Sequence, residues 1–338
     1  MQTSFADPCP IRGQCGGCPE MDRPAEAQRE QKLDLLRRGL SREPDAWVPS
    51  PRQLGYRARV TLNVGPDGRP GFQSAGSHTH VPVSRCAVAR DEINDALAIL
   101  AAEAPDLRPL TRLELRSDGQ RVVLSAEARD IPGARRLLSR LSLDSALEGR
   151  AQRGDPQLQL TVAGITHRVS PRSFFQVNPE VNELLTTAVR DQVLAFEPAH
   201  VLDLYAGVGN LSLPLAARGV PVTLVESDAS AMADARATLA RLKLRAELRQ
   251  MNVGKLQAGE IFFDVLVLDP PRAGAPGVLD RLLLTRPKGI VMVSCNPYTL
   301  SRDLNPAMKA GYRIVHLAGY DMFPHTPHLE TLCVLART

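Results

Sequence analysis

The sequence predicts an α/β protein: a doubly wound parallel sheet in the C-terminal half, preceded by a smaller α+β region. Three observations carry this. From about residue 180, short continuous apolar runs alternate with helical segments, the pattern of parallel strands buried on both faces. Between 55 and 165, strands follow one another before a helix arrives, the order of an α+β unit. The chain has 338 residues, which holds about two domains at ~100–200 residues each. The expected boundaries are 1–50 for a cysteine-rich N-terminal segment with a helix, 51–172 for the α+β domain and 173–338 for the parallel-sheet domain.

Taken in order, residues 1–20 are rich in Gly, Pro and Cys and form no regular element. Residues 24–40 read as a helix with Pro24 near its start, where a missing N–H costs nothing. Strands are expected at 56–64, 111–117, 121–127 and 157–163, and helices at 89–103 and 131–141. A helix covers roughly 179–195. The buried-type runs are VLDLYA (201–206), PVTLVES (221–227), FDVLVLD (263–269) and IVMVSC (290–295). YRIVHLAGYDMF (312–323) and TLCVLAR (331–337) have no helix between them and are expected to form a terminal antiparallel pair. No internal repeat is visible.

Composition excludes two classes. Hydrophobic residues make up 43% and charged residues 23%, ordinary for a folded protein and not for a disordered one. No run approaches ~18 apolar residues, so no membrane span is expected. The first thirty residues carry Asp7, Glu20, Asp22, Glu26 and Glu30 and no apolar stretch, unlike a signal peptide, so a cytoplasmic location is expected. Net charge is only +4, and all but five of the 41 basic residues are arginines, as in a GC-rich genome. One window is uneven. Arg52, Arg57, Arg59, Arg69, Arg85 and Arg90 face Asp67 alone between 50 and 90, which fits a solvated loop face or a phosphate-contacting patch equally.

The parallel-sheet half carries the motifs. Asp203 precedes Gly207-Val-Gly209-Asn210 just after the first buried strand. Glycines there let the chain turn tightly and let a ligand approach the backbone at the carboxyl ends of the strands. The dinucleotide fingerprint fails, because Ser212 stands where its third small residue belongs. The D-x-x-x-G-x-G spacing instead resembles class I S-adenosylmethionine-dependent methyltransferases. Glu226 ends the second strand, placed to accept hydrogen bonds from ribose hydroxyls. Asp269-Pro-Pro-Arg272 ends the next; its two prolines stop the strand and hold Asp269 at the sheet edge. Motifs of this type also occur in methyltransferases acting on amino groups of bases, so this one leaves the chemistry open.

Ser294-Cys295-Asn296-Pro297 closes the following strand and Glu330 stands just before the last one. Cys333, inside TLCVLAR, reads as core. Carbon 5 of uracil is a poor nucleophile. Thiolate addition to carbon 6 makes carbon 5 an enolate carbon able to attack a sulfonium methyl, after which a base removes the carbon-5 proton and the thiolate leaves. One thiol and one base suffice. Amino-group methylation needs no thiol, so Cys295 discriminates between the two.

The remaining cysteines, Cys9-x5-Cys15-x2-Cys18 and then Cys86 after 67 intervening residues, sit in loops. In a cytoplasmic chain disulfides are not expected. Zinc takes four thiolates, usually as two close pairs, whereas a cubane iron–sulfur cluster accepts a three-plus-one arrangement. The residues alone leave zinc, a [4Fe–4S] cluster and plain thiols open.

FFQVN (174–178), DLYAGVGNLSL (203–213), VESD (225–228), LDPPRAG (268–274), VSCNPYTLSRDL (293–304) and FPHTPHLET (323–331) together resemble the RNA uracil-5-methyltransferase family, in order over about 165 residues. The resemblance implies the class I methyltransferase fold and S-adenosylmethionine as cofactor. It implies Cys295 as nucleophile and Glu330 as general base. Gln176, Tyr205, Asn210, Glu226, Asn252 and Asp269 match positions lining the cofactor pocket, and Gly207 joins them on the backbone argument. Members acting on rRNA carry the same cysteine spacing, which implies that Cys9, Cys15, Cys18 and Cys86 hold a [4Fe–4S] cluster in the α+β domain. Redox catalysis is not expected, because the methyl transfer moves no net electrons.

The expected function is methyl transfer to C5 of a specific uridine in RNA, with 23S rRNA as the expected substrate. Arg52, Arg57, Arg59 and Arg272 are candidate RNA contacts. No membrane and no obligate protein partner are inferred. Some members carry a small β-barrel before the cysteines; only eight residues precede Cys9 here, so that domain is expected to be absent and RNA selection falls to residues 20–170 and the catalytic face. The alternatives are a tRNA uridine-54 C5 methyltransferase, a second rRNA position, a catalytically silent iron–sulfur RNA-binding protein and an amino-group methyltransferase.

Overall fold

A computed structural model describes residues 9–104 and 106–337; residues 1–8, part of the segment expected to lack regular structure, lie outside it. Helix α1 (Ala25–Leu40) and strand β1 (Ala46–Val48) open the chain. The α+β region follows, with β2 (Arg59–Val64), β3 (Pro70–Gln73), β4 (His80–Pro82), α2 (Asp91–Ala102), β5 (Leu110–Ser117), β6 (Val122–Ala128), α3 (Ile131–Arg140), β7 (Asp144–Leu147) and β8 (Arg150–Arg153). A hairpin, β9 (Leu158–Val162) and β10 (Ile165–Val169), leads to α4 (Pro179–Leu194). Then come β11 (Val201–Leu204), α5 (Leu213–Ala216), β12 (Val222–Glu226), α6 (Ala229–Leu242), β13 (Glu247–Gln250), β14 (Val265–Leu268), α7 (Val278–Leu282), β15 (Gly289–Ser294), α8 (Pro297–Lys309), β16 (Tyr312–Tyr320) and β17 (Glu330–Arg337).

The large sheet runs β1-β16-β17-β15-β14-β11-β12-β13. Strands β11 to β15 pair in parallel, and the order reverses between β11 and β14. Ligands of open α/β sheets bind at the carboxyl ends beside such a reversal. Alternation explains the continuous apolar runs. Leu202, Leu204, Leu266, Leu268, Ile290 and Met292 pack on one face, with Leu36 of α1 and Leu300 and Leu304 of α8. Val201, Val265, Val267, Val291 and Val293 pack on the other, with Val181, Leu185, Val189 and Val193 of α4 and Leu239 of α6. The α4 set repeats at i, i+4, i+8 and i+12, one helix stripe.

The second sheet, β4-β3-β2-β5-β6-β7-β8, is mainly antiparallel and packs its own core around Ile93, Leu97, Leu113 and Leu138. The expected strand at 56–64 begins only at Arg59. Residues 57 and 58 are held between other segments instead: Arg57 N donates to Val88 O and Ala58 N to Val177 O, both at 2.8 Å. The short strands β1, β3, β4, β7, β8, β10 and β13 lie outside the expected set. The two C-terminal strands do pair antiparallel, but β17 also pairs antiparallel with β15 and so lies inside the sheet. Among the described residues no helix is long and apolar enough to cross a membrane.

Candidate active site

The carboxyl edge of the large sheet collects the motif residues. Asp269 directly follows β14 and Cys295 directly follows β15. The antiparallel register pairs Ser294 with Thr331 and Tyr320 with Glu330, so Cys295 leaves β15 beside the residue that starts β17. Asn296 and Pro297 begin α8: the Asn296 side chain accepts from Tyr298 N at 3.1 Å and proline takes the first helical position. The polar turn is therefore a helix cap that fixes where the thiol stands.

Glu330 is buried, not the exposed strand cap that a terminal carboxylate usually is. Burial, and then the neighbouring Asp269 charge, holds its carboxyl well above the usual range; burial raises Asp269 too, against a hydrogen bond from Gln176. The Cys295 thiol is half-buried and pushed up to about 11 by burial, then by Glu330 and Asp269, with Arg272 opposing. Cys333, paired with Met292, is fully buried and pushed up to about 12 by burial.

The cofactor-type residues surround the β11/β14 reversal. Tyr205 and Gly207 both take left-handed backbone, at φ 60° and 55°. A Cβ added at Gly207 meets nothing within 4 Å, so the chain leaves open space there, whereas one at Gly209 would strike Leu213 at 2.6 Å. Glu226 accepts from Gly207 N at 3.0 Å and from Asp228 N at 2.8 Å, which aims its carboxylate at the turn. Asn252 caps a short 3-10 turn next to that strand end, where Met251 N donates to Glu226 O at 2.9 Å. Asp203 is buried beside Ser212, and burial pushes its carboxyl up to about 7 against that hydroxyl. The open space at Gly207 and the acidic side chains around it fit a cationic, hydroxyl-bearing nucleoside cofactor.

Sequence reasoning missed the support beneath these residues. Asn210 exchanges hydrogen bonds with Asn182 at 2.9 and 3.0 Å and reaches Thr186 at 3.3 Å. Asn178, Asn182 and Thr186 form a buried polar stripe at helical spacing along an otherwise apolar helix face, which was a readable signal. Phe174 is 56% exposed with the Arg59 guanidinium 4.8 Å from its ring centre. Arg52 is exposed and 3.5 Å from Glu180, and Arg272 is exposed at the rim. Arg57 departs from the other three arginines in its partner. It donates to the Tyr56 hydroxyl at 3.2 Å, and, with Arg59, it lines a second cavity.

That cavity, about 500 Å³, is lined by Cys9, Cys15, Cys18 and Cys86 together, with Ile11, Phe72 and Val88 among its walls. Gly16 N donates to Gln73 O at 3.0 Å, and a Cβ at Gly16 would sit 3.0 Å from the Ala75 backbone, so the Cys15-Gly-Gly-Cys18 turn needs its glycine. Cys86 is set by Asn94, which accepts from Cys86 N at 2.8 Å and donates to Cys86 O at 3.1 Å. Burial raises the thiols of Cys15, Cys18 and Cys86, Cys18 to about 12, and Arg57 opposes this at all three. Among the described residues no three His, Cys, Asp or Glu side chains are arranged to hold a single metal ion.

The fold and this sheet edge define an S-adenosylmethionine-dependent methyltransferase. A family profile described as tRNA (Uracil-5-)-methyltransferase matches residues 231–338. A protein of Klebsiella pneumoniae (strain 342) named 23S rRNA (uracil(1939)-C(5))-methyltransferase RlmD is 33% identical over 97% of this chain and 81% of its own length. Its namesake from Cronobacter sakazakii is 34% identical with the same coverage. The crystal structure of Pyrococcus abyssi tRNA (uracil-54, C5)-methyltransferase in complex with S-adenosyl-L-homocysteine superposes with TM-score 0.80 at 26% identity, over 96% of this chain and 86% of that one. This chain belongs to the RNA uracil-5-methyltransferase family. It is an enzyme that transfers a methyl group from S-adenosylmethionine to C5 of uracil in RNA.

Proposed function

We propose that the chain methylates a uridine of 23S rRNA in the cytoplasm, with Cys295 as nucleophile and Glu330 as general base. The observation that carries the roles is the β15–β17 register, which stands a half-buried thiol beside a buried carboxyl at the mouth of the sheet. The Cys295 thiolate adds to C6 of the uracil, which makes C5 nucleophilic. Bound S-adenosylmethionine supplies the electrophilic methyl on a cationic sulfur. Glu330 then takes the C5 proton, and the C6–S bond breaks to return the thiolate. Gln176, Tyr205, Gly207, Asn210, Glu226, Asn252 and Asp269 form the cofactor pocket in this reading, supported by the open turn at Gly207.

Four thiols around one cavity, three of them close together in the chain and the fourth distant, support a [4Fe–4S] cluster on Cys9, Cys15, Cys18 and Cys86. Held there, the cluster ties residues 9–18 to the Cys86 loop and scaffolds the arginine-bearing window. The residues expected to meet RNA are Arg52, Arg59 and Arg272, with exposed Phe174 as a stacking surface. The base must leave its stack to reach Cys295.

The 23S assignment rests on relatives of that name, 33% and 34% identical, whose lengths are covered to 81%. A second reading, a tRNA uridine at position 54, is favoured by the structural similarity to the archaeal tRNA enzyme. Incubating anaerobically purified protein with methyl-labelled cofactor and RNA lacking 5-methyluridine separates the two. Label in 5-methyluridine of 23S rRNA is expected; label in tRNA replaces the substrate, and label on an amino group removes Cys295 and Glu330 from their roles.

A further inference from the structure

The loop between β16 and β17, residues 321–329, delivers Glu330 to the sheet edge. Four consecutive carbonyls of that loop are held from four other segments. Asn178 Nδ2 donates to Met322 O at 3.3 Å, and Lys32 Nζ donates to Phe323 O at 3.0 Å. The Tyr56 hydroxyl donates to Pro324 O at 3.2 Å, and the Glu20 backbone N–H to His325 O at 3.1 Å. Gln28 ties the last pair together: its Oε1 accepts from His325 N at 2.8 Å and its Nε2 donates to Glu20 O at 3.0 Å. His325 stands at φ 65°, backbone that a non-glycine residue keeps only where its surroundings impose it.

Two of the four holders start at the cysteine cavity. Glu20 is two residues beyond Cys18. Arg57, in the cavity wall, donates from Nε to the Tyr56 hydroxyl at 3.2 Å, and Tyr56 is wholly buried. A hydroxyl that accepts from Arg57 has its one proton left for Pro324 O. The cavity wall and the loop before Glu330 are therefore joined by two consecutive hydrogen bonds.

We propose that Tyr56 and Gln28 are positioning residues for the Glu330 carboxylate, and that the cysteine cavity acts on catalysis through them by fixing the 324–325 turn. This rests on the reading of Glu330 as the base. In that step Glu330 takes the C5 proton, the C5–H electron pair forms the C5=C6 double bond, and the C6–S bond breaks to give the Cys295 thiolate. A slack loop misplaces only the base. Addition to C6 and methyl transfer go on, and the protein stalls as a methylated covalent adduct with RNA.

The test compares Tyr56→Phe and Gln28→Met with the unmodified enzyme and with Glu330→Gln, all anaerobically purified. The readouts are iron–sulfur absorbance, RNA affinity, and the share of protein running as an RNA adduct on a denaturing gel. Tyr56→Phe keeps the ring and loses only the hydroxyl; Gln28→Met acts outside the cavity and keeps the test valid if the first variant loses iron. The expected result is turnover roughly tenfold slower in both, with adduct accumulating as in Glu330→Gln and RNA affinity unchanged. Accumulation in Glu330→Gln but in neither positioning variant overturns the proposal alone. Weaker RNA binding without adduct assigns the two residues to binding and overturns it as well. No adduct in Glu330→Gln removes the base assignment itself, and the proposal with it.

Discussion

The catalytic sheet edge and the cysteine cavity assemble their residues by opposite means. At the edge, Asp203, Glu226, Asp269 and Cys295 lie at or just past the ends of adjacent parallel strands, so backbone register sets their spacing before any ligand arrives. In the cavity, Cys9, Cys15, Cys18 and Cys86 come from loops, tied to the rest by isolated bridges, Cys15 with Ser74 and Arg57 with Ala89, and by the Asn94 bonds to Cys86. A site built on register survives the loss of any one side chain. A site built on loops depends on the bound group to hold its parts together.

Three experiments break or sharpen this contrast. The largest effect is expected for Cys295→Ala, a loss of at least about 10⁴-fold in methylation from removing a nucleophile, with cofactor affinity within about twofold because the strand ends remain. A large loss of cofactor binding would show that the edge is not preformed. The second effect is on pH. Burial and neighbouring carboxylates raise both Cys295 and Glu330, and the thiolate and the carboxylate are the working forms. The rate is therefore expected to climb with pH from 6 to 9, by up to about tenfold per unit while the thiol limits; an optimum below pH 7 would contradict it. The smallest effect is expected for Cys18→Ser, with loss of iron and RNA affinity weaker by about tenfold, while cofactor affinity holds. Unchanged RNA affinity in a folded, iron-free protein would mean the cavity scaffolds no RNA surface.

Much of the catalytic edge was legible because its signals are local. Glycines at 207 and 209, a carboxylate closing the strand at 226 and the Asp-Pro-Pro turn at 269–271 are each written within a few residues. The cysteine spacing was legible for the same reason, but its basic neighbours were not: Arg57 and Arg59, grouped with Arg52 on charge, line the cavity of the thiols. The loop holders Tyr56, Lys32, Glu20 and Gln28 left no trace, since the first three meet their carbonyls, and Gln28 the His325 N–H, across more than 250 residues of chain.

By itself the sequence determined the order of elements, the apolar runs that must be buried on both faces, and the residue types capable of methyl-donor binding, nucleophilic attack and thiolate ligation. Those are properties of side chains and short spacings. Tertiary structure alone decided that β17 runs antiparallel between β15 and β16, which sets Glu330 beside Cys295 and buries it against Asp269. Two residues 35 positions apart acquire a common site only when a sheet fixes their register, and a carboxyl's affinity for its proton changes only once packing has removed its water.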